Sequence, residues 1–380
     1  MKNMLIRREI QAVIEQQLFK GKVIILYGAR RVGKTTLVRQ LIANQDNSRY
    51  INCELLENKM ALGTTNSAAL KSFLGNYKLI VLDEAQYIGD IGRILKIISD
   101  TFPDIQLIAT GSSSFELGNK ISEPLTGRAR EYHLYPFSMN ELLSLKDKIS
   151  LHAEIETILR FGLYPEVYGQ PEREAIEELS QISSTYLYKD ILQFESIKRP
   201  DLLLNLLNAL ALQIGSEVSL NELSRMLGES VPTIQRYIEL LEKAYVIFRL
   251  RSFSRNLRKE ISKGQKIYFY DLGIRNALIR NFNPLTLRSD VGGLWENFCI
   301  VERLKLNANR RHFVNSWFWR TYDQKEIDYI EEEGGNLSAF EFKFRPSGKI
   351  KIAKDFRETY ADSTFITVTR ENYLDFLTTH

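Results

Sequence analysis

The chain has 380 residues. At about 150 residues per domain this predicts two or three domains, each able to build a core without disulfides or structural metals. A composition of 44% hydrophobic, 26% charged and 11% aromatic residues excludes a disordered, collagen-like or fibrous chain, and a net charge of +4 names no partner by itself.

The N-terminal stretch MKNMLIRREI is amphipathic and lacks the apolar core of a signal peptide. The longest apolar stretch starts at Leu202, is interrupted by two asparagines, and falls short of the roughly 20 residues that span a bilayer. Two cysteines, Cys53 and Cys299, suit a reducing compartment better than a disulfide scaffold. A cytoplasmic protein with no membrane segment is expected.

The first third predicts three buried parallel strands, at residues 23–28, 78–83 and 105–110, each a short continuous apolar run. Helical patterns lie between them, beginning near Lys34 and Ile91. Strand alternating with helix implies an α/β fold around a doubly wound parallel sheet.

The first strand runs into Gly28-Ala29-Arg30-Arg31-Val32-Gly33-Lys34-Thr35, with Thr36 following, and a helix opens there. This is the G-x-x-x-x-G-K-[ST] phosphate loop in its expected strand–loop–helix context. The glycines permit a tight turn, and the backbone N–H groups and helix N-terminus offer positive potential to phosphates. Lys34 is placed to reach the β- and γ-phosphates, and the Thr35 hydroxyl to ligate Mg²⁺.

The second strand ends in Asp83-Glu84. Asp83 would hold Mg²⁺ through water, and Glu84 would orient and deprotonate the attacking water. The third strand ends in Thr110-Gly-Ser112, where either hydroxyl could sense the γ-phosphate or simply form a turn. Arg128 and Arg130 in TGRAR are candidate arginine fingers; the alternative is a solvated basic turn.

These segments, GARRVGKTTL, LIVLDEAQYI, ATGSSS and LTGRAREYHLYPFSMNELL, resemble a prokaryotic AAA+-related ATPase of the AAA_14 type. Downstream, YLYKDI, KIYFYDLGIRNAL and GLWENFCIVERL resemble the DUF4143 region that accompanies it. The resemblance covers nearly the whole chain. It implies a P-loop ATPase using ATP and Mg²⁺, supports a catalytic Glu84, and names no substrate. ATPases of this kind often form rings, so a homo-oligomer is among the expected states, as are protein partners.

Residues 138–200 read as a helical lid or connector. Within 201–283, a helix over 219–228 ends at glycine, Pro232 opens a second helix, and a strand follows. This helix–turn–helix–strand order suits a winged helix whose Thr233, Gln235 and Arg236 would meet DNA. Eight basic residues follow within 249–275 (Arg249, Arg251, Arg255, Arg258, Lys259, Lys263, Lys266, Arg275), interleaved with aromatics, and suit phosphate contacts. Against this, winged helices also serve as packing modules, and Glu239 and Glu242 on the second helix would repel DNA if they faced it.

Residues 284–380 read as a nuclease-like α/β domain. Two alternating strands flank Gly334-Gly335, a hairpin turn. A symmetric hairpin sets Asp328 opposite Glu341, with Glu326 opposite Lys343, on one face. This resembles the D…E-x-K core of restriction-endonuclease-type nucleases, with Glu296 as the preceding helical glutamate and Glu302 the alternative. The resemblance implies a second Mg²⁺ or Mn²⁺ at Asp328 and Glu341, with Lys343 polarising a phosphate or activating water. The other readings are a cross-strand Glu326–Lys343 ion pair and an inactive nuclease fold. The sequence therefore supports an ATP-driven enzyme acting on DNA, an ATP-dependent switch for protein partners, or a nucleotide-responsive DNA-binding regulator.

Overall fold

The computed structural model describes residues 6–43, 45–112, 118, 121, 123–186, 199–253, 264–321, 325–345 and 354–378. The chain divides into two compact units. One is Met1–Pro136 with Lys243–Tyr245; the other is Phe137–Glu242 with Val246–His380. The sequence-based divisions at 200/201 and 283/284 both run inside the second unit. Among the described residues the strands form three sheets, and no helix is long and apolar enough to cross a membrane.

The first unit is built on β1 (Val23–Tyr27), β2 (Ser48–Asn52), β3 (Leu79–Asp83), β4 (Gln106–Gly111) and β5 (Ala129–His133). Their order is β2-β3-β4-β1-β5, and every neighbouring pair is parallel. The three inner strands are buried along their whole length, which is why their sequences run apolar without alternation. The helix Ile91–Thr101 buries Ile91, Ile94, Leu95 and Ile98, the spacing of one helical face.

Two consequences place the site. Parallel strands end on one edge, so the loop after β1, the acids after β3 and the hydroxyls after β4 share that edge. The strand β4 also lies between β1 and β3, which the sequence does not state.

In the second unit, the helix Pro200–Leu212 carries proline in its first turn. The helix Leu220–Leu227 is capped by Ser219 and ends at Gly228, whose φ of 65° is left-handed. The helix Val231–Lys243 follows. With them goes an antiparallel sheet of β6 (Glu217–Val218), β7 (Ile247–Arg251) and β8 (Gln265–Phe269), in the order β6-β8-β7.

The helix Val291–Asn309 precedes the last sheet, made of β9 (Asn315–Arg320), β10 (Glu326–Glu333), β11 (Asn336–Phe342) and β12 (Thr364–Val368). The order is β12-β11-β10-β9. Gly334 and Gly335 both have positive φ, 56° and 86°, as a two-residue hairpin turn requires. The register pairs Tyr329 with Phe340 and Glu333 with Asn336, the pairing expected from the symmetric hairpin. Between β9 and β10 the register shifts between Ile327 and Ile330, an irregularity that spans Asp328 and Tyr329.

Candidate functional site

The phosphate loop closes against the end of β5. A Cβ on Gly28 would lie 2.2 Å from the Leu134 carbonyl oxygen, so only glycine fits. Gly33 has a φ of 98° and Arg31 a left-handed 64°. Val32 is buried beneath the loop, while Thr36 is exposed. Lys34 opens the helix Lys34–Ala43, is buried, and donates from Nζ to the carbonyls of Gly28 (2.9 Å) and Ala29 (3.0 Å). Arg30 donates to the Tyr87 hydroxyl at 3.3 Å.

The acids after β3 join this loop through hydroxyls. Thr35 Oγ1 donates to Asp83 Oδ2 at 2.7 Å, and Tyr50 from β2 donates to the same oxygen at 2.5 Å. Thr110 Oγ1 donates to Asp83 Oδ1 and accepts the Glu84 N–H at 2.9 Å. Thr110 thus braces the acidic turn from β4, rather than pointing its hydroxyl out of the sheet. Glu84 itself is left-handed, with φ 54°. Gln86 Nε2 donates to Glu84 Oε2 at 2.5 Å and to Ser112 Oγ at 3.3 Å. Burial first, then the bond to Asp83, pushes the Tyr50 phenol up to about 12.

This donor set suits a magnesium nucleotide. A hydroxyl and a carboxylate, both hard oxygen ligands, meet beside a lysine and a helix N-terminus. Thr35 and Asp83 could hold the ion, and residues 28–36 the phosphates.

Arg128 is elsewhere. Its carbonyl accepts from Val23 N–H at 2.9 Å, at the start of β1, and its guanidinium binds Asp100 at 2.7 Å. Four residues of strand, about 13 Å, separate Val23 from the end bearing the loop. Arg128 therefore does not reach the phosphate loop of its own chain, because β5 runs parallel to β1 and delivers its N-terminal end to the opposite edge. Arg130 pairs with Ile24 in the register and is exposed there.

In the second unit, Gln235 and Arg236 are exposed on the helix Val231–Lys243, and Thr233 is half-buried next to Ser230, whose hydroxyl lies 2.9 Å from its own. Glu242 is turned inward, accepting the Arg249 N–H at 3.0 Å and pairing with the Arg249 side chain. The basic stretch breaks up. Lys266 and Arg275 are buried, Arg275 pairing with Asp290. Arg255, Arg258, Lys259 and Lys263 lie outside the described residues.

The carboxylates of the C-terminal sheet gather, with one change of membership. Oxygens of Glu296, Glu326 and Asp328 lie within 4.8 Å of one another. Asp328 Oδ2 also accepts the Phe342 N–H at 2.8 Å. Glu302 lies outside the cluster, bound to Lys305 and the Met139 N–H, both at 2.7 Å. Lys343, just past the end of β11, binds Glu341 at 2.7 Å, whereas the alternative reading pairs it with Glu326.

Glu326 instead contacts Lys266 and, at 3.7 Å, Arg320. Lys266 Nζ also donates to Glu296 at 2.8 Å, and Tyr268 donates to the same oxygen at 2.6 Å. Burial pushes the Asp328 carboxyl well up, and Glu296 and Glu341 add to it. Burial also raises Glu296, opposed by Lys266. Burial alone would lower the Lys266 ammonium, but Glu296, Glu326 and Asp328 outweigh it and raise it.

Residues 20–143 match a family described as an AAA domain. Residues 291–376 match DUF4143, and residues 152–285 match DUF8612, both described as domains of unknown function. The chain joins an AAA domain to a DUF4143 region. An uncharacterized protein of Mycobacterium tuberculosis is 27% identical over 340 residues, covering 89% of this chain and 74% of that one. An uncharacterized protein of Methanocaldococcus jannaschii is 28% identical over 342 residues, covering 83% and 74%. Among solved structures, the Walker-type ATPase PABY2304 of Pyrococcus abyssi is similar, at 18% identity and a TM-score of 0.49, covering 72% of this chain and 96% of that one.

Sequence reasoning missed Tyr50 and Gln86, and it placed Lys266 in a basic run suited to phosphates rather than among carboxylates. Gln86 was within sight, two residues beyond Glu84 in a turn that can fold back. Tyr50 and Lys266 come from strands whose partners the sequence does not declare. In the DUF4143 region, Glu296, Glu326 and Asp328 could each offer one oxygen to a cation, and the buried Lys266 ammonium already contacts two of them.

Proposed function

We propose that the protein is a Mg²⁺-dependent ATPase whose hydrolysis is coupled to DNA binding without cleavage. The observation that carries the ATPase part is the unbroken chain from Thr35 through Asp83 and Thr110 to Glu84, Gln86 and Ser112 beside the phosphate loop.

The loop N–H groups and Lys34 bind and orient the triphosphate, with Lys34 exchanging the Gly28 and Ala29 carbonyls for phosphate oxygens. Thr35 and Asp83 would hold Mg²⁺, which would supply charge neutralisation. Glu84 accepts a proton from the water that attacks the γ-phosphorus in line, and the bond to the ADP oxygen breaks. Gln86 fixes the Glu84 carboxylate, and its second bond to Ser112 links that carboxylate to the end of β4.

DNA contact rests on the exposed Gln235 and Arg236 near the start of the helix Val231–Lys243, in a helix–turn–helix with an antiparallel sheet. The inward turn of Glu242 removes one of the two repelling charges. A second reading, a nucleotide switch for a protein partner, is favoured by Leu56 and Met60, 71% and 73% exposed on the helix Leu56–Leu62.

The deciding experiment measures ATP turnover with and without duplex and single-stranded DNA at two salt concentrations. DNA stimulation that weakens with salt is expected. Turnover indifferent to DNA, with nucleotide-dependent assembly, would favour the second reading. No turnover at all would remove both.

A further inference from the structure

We infer that Lys266 is a built-in substitute for a divalent cation in the DUF4143 region. The native protein then carries no metal at Glu296, Glu326 and Asp328, and the nuclease-like carboxylate set is locked in a non-cleaving state. The inference stands apart from the ATP site, and either can fail without the other.

Three carboxylates with oxygens within 4.8 Å of one another repel unless a proton or a cation offsets their charge. Magnesium would have to sit about 2.0–2.1 Å from such oxygens. Lys266 already fills that role: its Nζ is 2.8 Å from Glu296 and in contact with Glu326. The residue is 1% exposed, so its ammonium has no solvent to retreat into.

Its position is set by the backbone. Lys266 lies on β8, paired to both β6 and β7, opposite Glu217 and Leu250. Tyr268, two residues on and therefore on the same face, binds the same Glu296 oxygen. One strand face thus delivers a cation and a hydroxyl to one carboxylate. The Phe318 ring lies 5.6 Å from Nζ, a further contact that suits an ammonium.

A second positive group guards Glu326. Arg320 lies 3.7 Å from it and pairs with Glu217 at 3.0 Å. A dication entering the cluster would face an ammonium held within a few ångströms in a buried site, where like charges repel strongly. Lys343, which should serve such an ion, is engaged by Glu341.

The probe is Mn²⁺ alone, counted by electron paramagnetic resonance on the nucleotide-free full-length protein. The parent and Asp328→Asn should bind the same number of ions. Lys266→Met, which keeps the bulk and removes the charge, should bind one more ion per chain. That extra ion should disappear in the Lys266→Met/Asp328→Asn double variant. The inference is overturned if the parent loses an ion on Asp328→Asn, or if folded Lys266→Met gains none. Should Lys266→Met fail to fold, the parent against Asp328→Asn still decides the matter.

Discussion

Gln86 and Glu84 are joined side chain to side chain, amide nitrogen to carboxylate oxygen at 2.5 Å, across a single intervening residue. Because Glu84 is left-handed, its side chain leaves the end of β3 at an angle that a regular strand would not give. The amide makes that angle definite. Glu84→Gln should retain ATP binding and lose about 10²–10⁴-fold in kcat, the usual worth of a positioned general base. Gln86→Ala should lower kcat less and leave KM close to the parent value. Steady-state phosphate release checks both, and an unchanged kcat in Gln86→Ala would assign Gln86 a packing role only.

Lys34→Ala removes the cation that the loop carbonyls now hold. Nucleotide affinity and turnover should both fall, turnover by about 10²-fold or more as for loss of one charge stabiliser. Fluorescent-nucleotide binding alongside phosphate release separates the two effects. Retained turnover would contradict the role given to the loop.

Gly28→Ala tests the closeness of the loop to Leu134. A methyl group 2.2 Å from that carbonyl oxygen has to displace backbone. A loss of roughly 1–3 kcal/mol in unfolding free energy is expected, with weaker ATP binding. Denaturant unfolding with and without nucleotide measures it.

Asp271 gives a pH signature unrelated to catalysis. Burial pushes its carboxyl up to about 6, although the N–H groups of Leu163 (2.7 Å) and Ile274 (3.2 Å) pull the other way. The folded value lies above the ordinary carboxylate value. Its contribution to stability is therefore complete below about pH 4 and lost as pH rises through 6. Relative to Asp271→Asn, the parent should lose about 2 kcal/mol between pH 4 and pH 7. Urea unfolding of both proteins across that range measures the difference, and a flat difference would show that Asp271 titrates as an ordinary carboxyl.

Arg236→Ala should weaken DNA binding to all sequences alike and reduce the salt slope by about 1, if the arginine meets a phosphate. Fluorescence anisotropy at several salt concentrations reads the slope directly. An unchanged slope would move the DNA contact away from this helix.

The sequence by itself determined the chemistry that is local in the chain. The phosphate loop needs glycines, a lysine and a hydroxyl within eight residues, and a loop of that length can be read without knowing its neighbours. The hairpin register of β10 and β11 was equally readable, since two glycines fix the turn and side chains alternate with a period of two. Only the tertiary structure decided what came from afar. Placing β4 between β1 and β3 brought Thr110 and Ser112 to the acids, and the parallel direction of β5 carried Arg128 to the far edge. Lys266 read as one cation in a basic run, yet β8 buries it among carboxylates 30 to 62 positions later in the chain. Such pairings depend on which strands lie side by side. That choice is made by burial of apolar faces across the whole unit and leaves no mark at the charged residue itself.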